Sequence, residues 1–148
     1  MAVYTELSND DLERFVAEYH IGEVTSIKGI AEGVENSNYL IQTEIDRFIL
    51  TIYEKRVKAK DLPFFLGLMD HLAAAGIPCP TPIHGKDGRA LRQVLGKPAA
   101  IISFLDGVWP KGRTPNHCSQ LGEAVARMHV AGSGFNMRRP NDLRVTAW

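Results

Sequence analysis

Phe48-Ile49-Leu50-Thr51-Ile52-Tyr53 is the stretch of this 148-residue chain on which the fold turns. β-Branched and aromatic side chains dominate it, the composition of a strand lying on a pleated, packed surface. Just upstream, Glu44-Ile45-Asp46 predicts a turn and Tyr39-Leu40-Ile41 a second strand. Residues 33–37 form a turn-rich break, and residues 23–31 alternate loosely enough to predict one more strand before it. Three strands joined by such short connections must run antiparallel, because a parallel crossover needs a dozen residues or more.

Helices bracket this meander. Ser8 followed by Asp11 resembles a capping box with aspartate in place of glutamate, and Leu12, Phe15, Val16 and Tyr19 follow at helical spacing. Gly22 ends that helix. Downstream, Asp61 is expected to cap a second helix, with Pro63 in its first turn and Gly76 at its end. Its expected buried stripe is Phe65, Leu68, Met69 and Leu72. Ile77-Pro78-Cys79-Pro80-Thr81-Pro82 must then run extended. Lys86-Asp87-Gly88 predicts a hairpin turn between strands near Ile83 and residues 91–94, and the apolar run at residues 99–105 predicts a buried strand. Thr114-Pro115 opens a third helix with an apolar stripe of Cys118, Leu121, Val125 and Met128, closed by Gly132 or Gly134. No internal repeat interrupts this order.

Composition narrows the function classes. Lys plus Arg and Asp plus Glu both number 17, so formal net charge is zero and no basic stripe suggests a nucleic-acid partner. No apolar run reaches the roughly 18 residues of a membrane span. The acidic start, with Glu6, Asp10 and Asp11, lacks the basic n-region of a signal peptide. Cys79 and Cys118 sit in separate segments and read as reduced thiols of a cytoplasmic protein. Five histidines, none paired at metal-ligand spacing, read as structural or surface residues. His117 and Cys118 are helix neighbours that point apart, so they make no nucleophile pair.

Five segments carry a resemblance: GVENSNYLI (33–41), FILTIYEKR (48–56), LPFFLGLMDHLAAAGIPCPTPI (62–83), AAIISFLDG (99–107) and LGEAVARMH (121–129). In order and spacing they resemble homoserine kinases of the aminoglycoside-phosphotransferase-like group, over essentially the whole chain. The resemblance implies an α+β, protein-kinase-like small lobe with a five-stranded antiparallel sheet at residues 1–107. Residues 108–148 would then be a linker and the first helix of an incomplete large lobe. The implied activity is ATP-dependent phosphorylation of the L-homoserine hydroxyl, in threonine biosynthesis, with this chain gripping ATP.

The same resemblance implies site residues. Gly33, Asn36, Ser37 and Asn38 fall where such kinases fold a turn over the phosphates. Ser103, Phe104 and Leu105 fall on the hinge that meets adenine through its backbone, with Trp109 beside it as a wall of the cleft or a cover for the hinge. Thr51 stands where these folds usually carry a phosphate-binding cation, and Phe65 where its glutamate partner usually stands. Losing both together leaves neither charge buried and unpaired. Lys28, Lys55 and Arg56 are candidates to offset phosphate charge, though each reads more readily as a solvated surface residue. The catalytic aspartate and the Mg2+ ligands belong to a His-x-Asp…Asn loop and a later aspartate. No such pattern occurs up to Trp148, so they are expected beyond it and the chain alone is expected to be inactive. Alternatives are an aminoglycoside or choline kinase, or a non-catalytic nucleotide-binding or interaction module. The Leu121, Val125 and Met128 stripe is expected to be exposed and to drive self-association.

Overall fold

The computed structural model describes residues 4–31, 35–54 and 58–141. Along them run α1 (Asn9–Val16), β1 (Val24–Ile30), β2 (Asn36–Thr43), β3 (Arg47–Tyr53), α2 (Leu62–Ala74), β4 (Arg92–Val94), β5 (Lys97–Ser103) and α3 (Pro115–Gly132). The strands form one sheet in the order β1-β2-β3-β5-β4, antiparallel throughout. Short connections keep β1, β2 and β3 adjacent, while α2 occupies the long connection that lets β5 return beside β3. This is the α+β architecture expected from the sequence.

Register sorts the side chains into two faces, since residues opposite each other across antiparallel strands point the same way. On the outer face stand Tyr39, Ile41, Phe48, Leu50, Ile52, Ala99 and Ile101, covered by Leu12, Phe15 and Val16 of α1. An eight-residue helix is too short to persist alone. Burial holds it there, at roughly 1.5–3 kcal/mol per large apolar side chain. The predicted capping box is present: Ser8 Oγ accepts from the Asp11 N–H at 3.2 Å, and the Asp11 carboxylate accepts from the Ser8 N–H at 3.3 Å. On the inner face stand Lys28, Ile30, Asn38, Leu40, Ile49, Thr51, Ala100 and Ile102. α2 reaches this face at its β5 side, where Leu66 packs on Ala100.

Four local expectations are corrected. Asn36, Ser37 and Asn38 are strand, not turn; they pair with Tyr53, Ile52 and Thr51, because the ladder offered by β3 outweighs their turn preference. The hairpin joining the last two strands turns at Leu95-Gly96, both at positive φ (50° and 74°). Lys86-Asp87-Gly88 instead closes a loop, held by the Gly88 N–H to Gly85 carbonyl bond at 2.8 Å. That loop follows Pro82 and Ile83, which lie along β5 through a Pro82–Ile102 bridge and an Ile83 N–H bond to the Ile101 carbonyl. In α2 the buried residues are Leu62, Leu66 and Leu72, while Phe65 is exposed. Asp61 makes no side-chain cap bond there; its carboxylate accepts from Arg139 Nε at 2.9 Å.

α3 exposes Leu121, Val125 and Met128, as its sequence pattern led one to expect. Its C-terminal end meets α2. His71 Nε2 donates to the Ala131 carbonyl at 2.9 Å, and the Phe135 ring lies 5.5 Å from that of Phe64. Thr114 caps the helix, its hydroxyl accepting from the His117 N–H.

Candidate functional site

At the end of β5 the ladder with β3 is released. Ser103 still pairs with Phe48, and the Phe104 N–H still donates to the Arg47 carbonyl at 3.2 Å. From Leu105 onward the backbone carries no hydrogen bond to the described residues until the turn into α3. The hinge expected to meet a flat base is thus exposed backbone leaving an apolar strand. Arg47 braces it from below: its Nη2 bonds Asp106 Oδ1 at 2.6 Å, and its guanidinium sits 4.6 Å from the Phe104 ring centroid. The Ser103 side chain faces away from a ligand, since its hydroxyl accepts from the Thr81 N–H at 2.9 Å. Trp109 is 85% exposed in the following loop.

Further along the inner face, one row crosses the sheet as Ile30, Asn38, Thr51 and Ala100. Thr51 Oγ1 donates to Asn38 Oδ1 at 2.9 Å. Thr51 is only 7% exposed, whereas Asn38 is half-buried. These two polar residues stand among Ile30, Leu40, Ile49, Ala100 and Ile102 on this face. Asn36, two residues away, accepts from the Glu54 N–H. Lys28 lies on this same face, exposed, in register with Leu40. Gly33, Lys55 and Arg56 lie outside the described residues.

Ser37 is brought to the opposite face from Asn38, because neighbours along a strand alternate. It is fully buried, and its hydroxyl accepts from the backbone N–H groups of Tyr4 and Thr5 and donates to Glu54 at 2.8 Å. Thr5 Oγ1 also donates to Glu54, and Lys97 Nζ donates to both at 2.6 Å. Tyr39 closes the arrangement with a bond from its hydroxyl to the Thr5 carbonyl. Burial pulls the Glu54 pKa upward, but the bonds from Lys97, Thr5 and Ser37 together outweigh it and leave the carboxyl below the usual glutamate range. Thr5, Glu54 and Lys97 escaped sequence reasoning. They lie 49 and 43 residues apart along the chain, before α1 and at the ends of β3 and β5, where no local signature marks them.

A cavity of about 860 Å3 opens between α1 and β1, lined by Leu12, Val16, His20, Val24, Ile27 and Lys86. It belongs to the outer side and shares no residue with the hinge or the Asn38 row. No cluster of three or more His, Cys, Asp or Glu able to hold a metal occurs among the described residues. None of the described helices is long and apolar enough to cross a membrane.

The family model described as "Phosphotransferase enzyme family" matches residues 26–148. A homoserine kinase of Paramagnetospirillum magneticum is 62% identical over 148 residues, covering all of this chain and 45% of the relative. One from Bradyrhizobium diazoefficiens is 57% identical with the same coverage, and one from Rhodospirillum rubrum is 57% identical over 46% of its length. This chain therefore spans less than half the length of the curated relatives it matches. Among solved structures, a spectinomycin phosphotransferase in complex with ADP and spectinomycin superimposes with a TM-score of 0.68. It is 14% identical and the match covers 86% of this chain and 39% of that one. The antiparallel sheet, the released hinge and a family match running from Ser26 to Trp148 converge on one assignment: the chain belongs to the phosphotransferase enzyme family.

Proposed function

We propose that this chain is the ATP-gripping part of a homoserine kinase, which transfers the γ-phosphoryl group of ATP to the hydroxyl of L-homoserine in threonine biosynthesis. The observation that carries the reading is identity of 55–62% to proteins named homoserine kinase, sustained across all 148 residues. By contrast, the spectinomycin phosphotransferase shares the fold at 14% identity, which favours homoserine over an aminoglycoside. In the transfer, the homoserine oxygen bonds to the γ-phosphorus as the bond to the β–γ bridging oxygen breaks, and ADP leaves. The hydroxyl proton passes to a base that lies outside this chain, as do the Mg2+ ligands.

Residues 1–107 form the nucleotide-binding lobe in this reading, and residues 108–148 begin the large lobe. Adenine lies against Ile49 and Ile102 with its edge at the backbone of Phe104 and Leu105, an apolar slot with free backbone groups at one end. Ser103 positions that backbone through Thr81. Phosphate binding is assigned to Gly33, Asn36, Asn38 and Thr51, while Ser37 braces β2 from the opposite face through Glu54. α3 offers its exposed stripe for packing, either on the remainder of the protein or on a second copy.

The test is a coupled ADP-release assay on the full-length protein with Mg-ATP. Homoserine should give turnover far above that with serine, choline or spectinomycin. Turnover with choline or an aminoglycoside and none with homoserine would replace the substrate assignment. No nucleotide binding at all would remove the kinase reading.

A further inference from the structure

α2 meets the sheet through a small apolar cluster, in which Leu66 packs with Ala90 and Ala100 and with Tyr53 and Leu91 at its edge. Its other side carries a longer contact. After α3 the chain doubles back along α2 in the opposite direction, from the helix's end to its start. The Ala131 carbonyl accepts from His71 Nε2 at 2.9 Å, and the Phe135 ring lies 5.4 Å from that of His71 and 5.5 Å from that of Phe64. Phe135 and Met137 then cross the helix at Gly67, where the place a Cβ would take lies 3.5 Å from Phe135 Cζ and 3.6 Å from Met137 Sδ. Arg139 ends the run. Its guanidinium sits 5.1 Å from the Phe65 ring centroid, and its Nε donates to Asp61 Oδ2 at 2.9 Å.

Residues 135–140 are neither helix nor strand, so this segment takes its shape from the helix it lies on. Glycine is unfavourable inside a helix, yet the bare backbone of Gly67 seats two side chains of the segment; a methyl there would just touch them, and anything longer would push them away. The Asp61 and Arg139 side chains are only 16% and 21% exposed. An exposed ion pair contributes little, but a charge left alone in such a place is costly, so this pair fixes where the segment ends on α2. From Arg139 the chain leads on toward Trp148, beyond which the base and the Mg2+ ligands are proposed to lie.

Resting on the kinase reading, we infer that residues 133–139 are a strap that makes α2 move with the large lobe, and that Arg139 is a positioning residue for phosphoryl transfer. It touches no substrate. Through Asp61 and Phe65 it sets the place of α2, which borders the nucleotide face at Ala100, relative to the catalytic half that follows the strap.

The experiment pairs amide hydrogen exchange with steady-state kinetics on the full-length protein, using Mg-ATP and homoserine. Arg139→Met keeps apolar cover over Phe65 and drops the bond to Asp61. It should speed exchange across α2 by about tenfold and leave β2 and β3 within about twofold, because losing a local contact opens the unit it holds and not the sheet. kcat should fall by roughly 10- to 100-fold, the scale of a misplacement of about 1 Å between reacting groups. The KM for ATP and the ADP dissociation constant should stay near wild type, since Ile49 and Ile102 lie on the sheet. Asp61→Asn should reproduce the pattern more weakly, and the double variant should be no worse than Arg139→Met alone, as two halves of one contact require. Gly67→Leu displaces the strap at its middle and repeats the test without touching the ion pair; Arg138→Ala, at an exposed neighbour, should change nothing. Wild-type kcat in Arg139→Met and Gly67→Leu, or a fall in kcat with α2 exchange unchanged, would overturn the inference. Faster α2 exchange in variants of a protein that leaves homoserine unphosphorylated would sustain the strap and sink the substrate assignment instead.

Discussion

Leu50 and Ile49 are neighbours in sequence, and they belong to two different regimes. Leu50 points to the outer face, is fully buried and sits among Ile41, Phe48, Ile52 and Ile101 under α1. Ile49 points to the inner face and is half-exposed beside Ile102. The outer face is closed by the chain itself: α1 supplies the apolar cover, and Thr5, Ser37, Glu54 and Lys97 satisfy one another at the loop end. The inner face is only partly covered, by α2, and keeps a polar pair on an apolar surface. What separates them is the purpose of burial. One face spends its side chains on stability, while the other leaves them half-open on the side where the nucleotide is proposed to lie.

The comparison is tested most severely by shaving each neighbour in turn. Leu50→Ala should cost about 3–4 kcal/mol, a lost transfer term plus a cavity that rigid neighbours cannot fill. Ile49→Ala should cost about 1 kcal/mol, because that site is already partly solvated. Urea unfolding of the full-length protein measures both. Nucleotide affinity should reverse the order, with Ile49→Ala weakening adenosine and Leu50→Ala sparing it at temperatures where the protein remains folded. Equal costs from the two substitutions would mean that the faces are not distinct.

Glu54 gives the next effect. Removing it as Glu54→Ala strips the partner from Lys97 and leaves the Ser37 and Thr5 hydroxyls to find new acceptors. Breaking a buried pair costs about 3–5 kcal/mol, but Lys97 remains 40% exposed and can be hydrated. About 2 kcal/mol is expected. The loss should fall on stability, with ADP affinity unchanged within twofold.

Acid and base should act on the two sides with opposite sign. The Glu54 carboxyl has a depressed pKa in the folded protein, so its contribution is complete above the usual glutamate range and is lost as pH falls through the depressed value. His84 runs the other way. A bond to the Gly88 carbonyl is the largest cause raising its pKa; burial lowers it in part, and Asp70 at 3.0 Å raises it again. Its contribution, tying the loop after Ile83 to α2, is complete below the usual histidine range and fades as pH rises through the raised value. The melting-temperature gap between wild type and Glu54→Gln should therefore close in acid. The smaller gap between wild type and His84→Gln should close in mild alkali.

Much of the fold was legible because its signals are local. The Phe48–Tyr53 stretch, the short turn before it, the Ser8–Asp11 box and Gly76 at φ 77° each act within a few residues. Failures came where a distant partner decided. Asn36, Ser37 and Asn38 look like a turn until β3 supplies a ladder. Asp61 looks like a cap until Arg139, 78 residues on, takes its carboxylate. Phe65 looks like core until Leu62 and Leu66 claim the buried side of α2 and Arg139 settles over its ring. For the candidate site, the sequence named residues that the structure places on β2, β3 and the end of β5. Which side chains share a face follows from register, and that is where Ser37 and Asn38 part company.

The smallest expected effect tests whether the outer rim can be improved without touching the inner face. Leu95 sits at φ 50°, followed by Gly96 at 74°, a two-residue hairpin turn with both residues left-handed. Leucine is a poor occupant there, because its Cβ crowds the backbone, whereas asparagine tolerates the region and Asn-Gly is the favoured pair for such turns. Leu95 is 53% exposed, so little packing opposes the exchange. Leu95→Asn should raise stability by about 0.5 kcal/mol, a fraction of the left-handed penalty, as a small increase in the urea midpoint at constant slope. ATP, ADP and adenosine affinities should stay at wild-type values, since the turn joins β4 to β5 at the edge of the sheet and reaches the Asn38 row through neither. A stabilised hairpin that also changed ADP affinity would show that strain at the rim is transmitted through β5 to Ala100, and the separation of the two faces would fail at that strand.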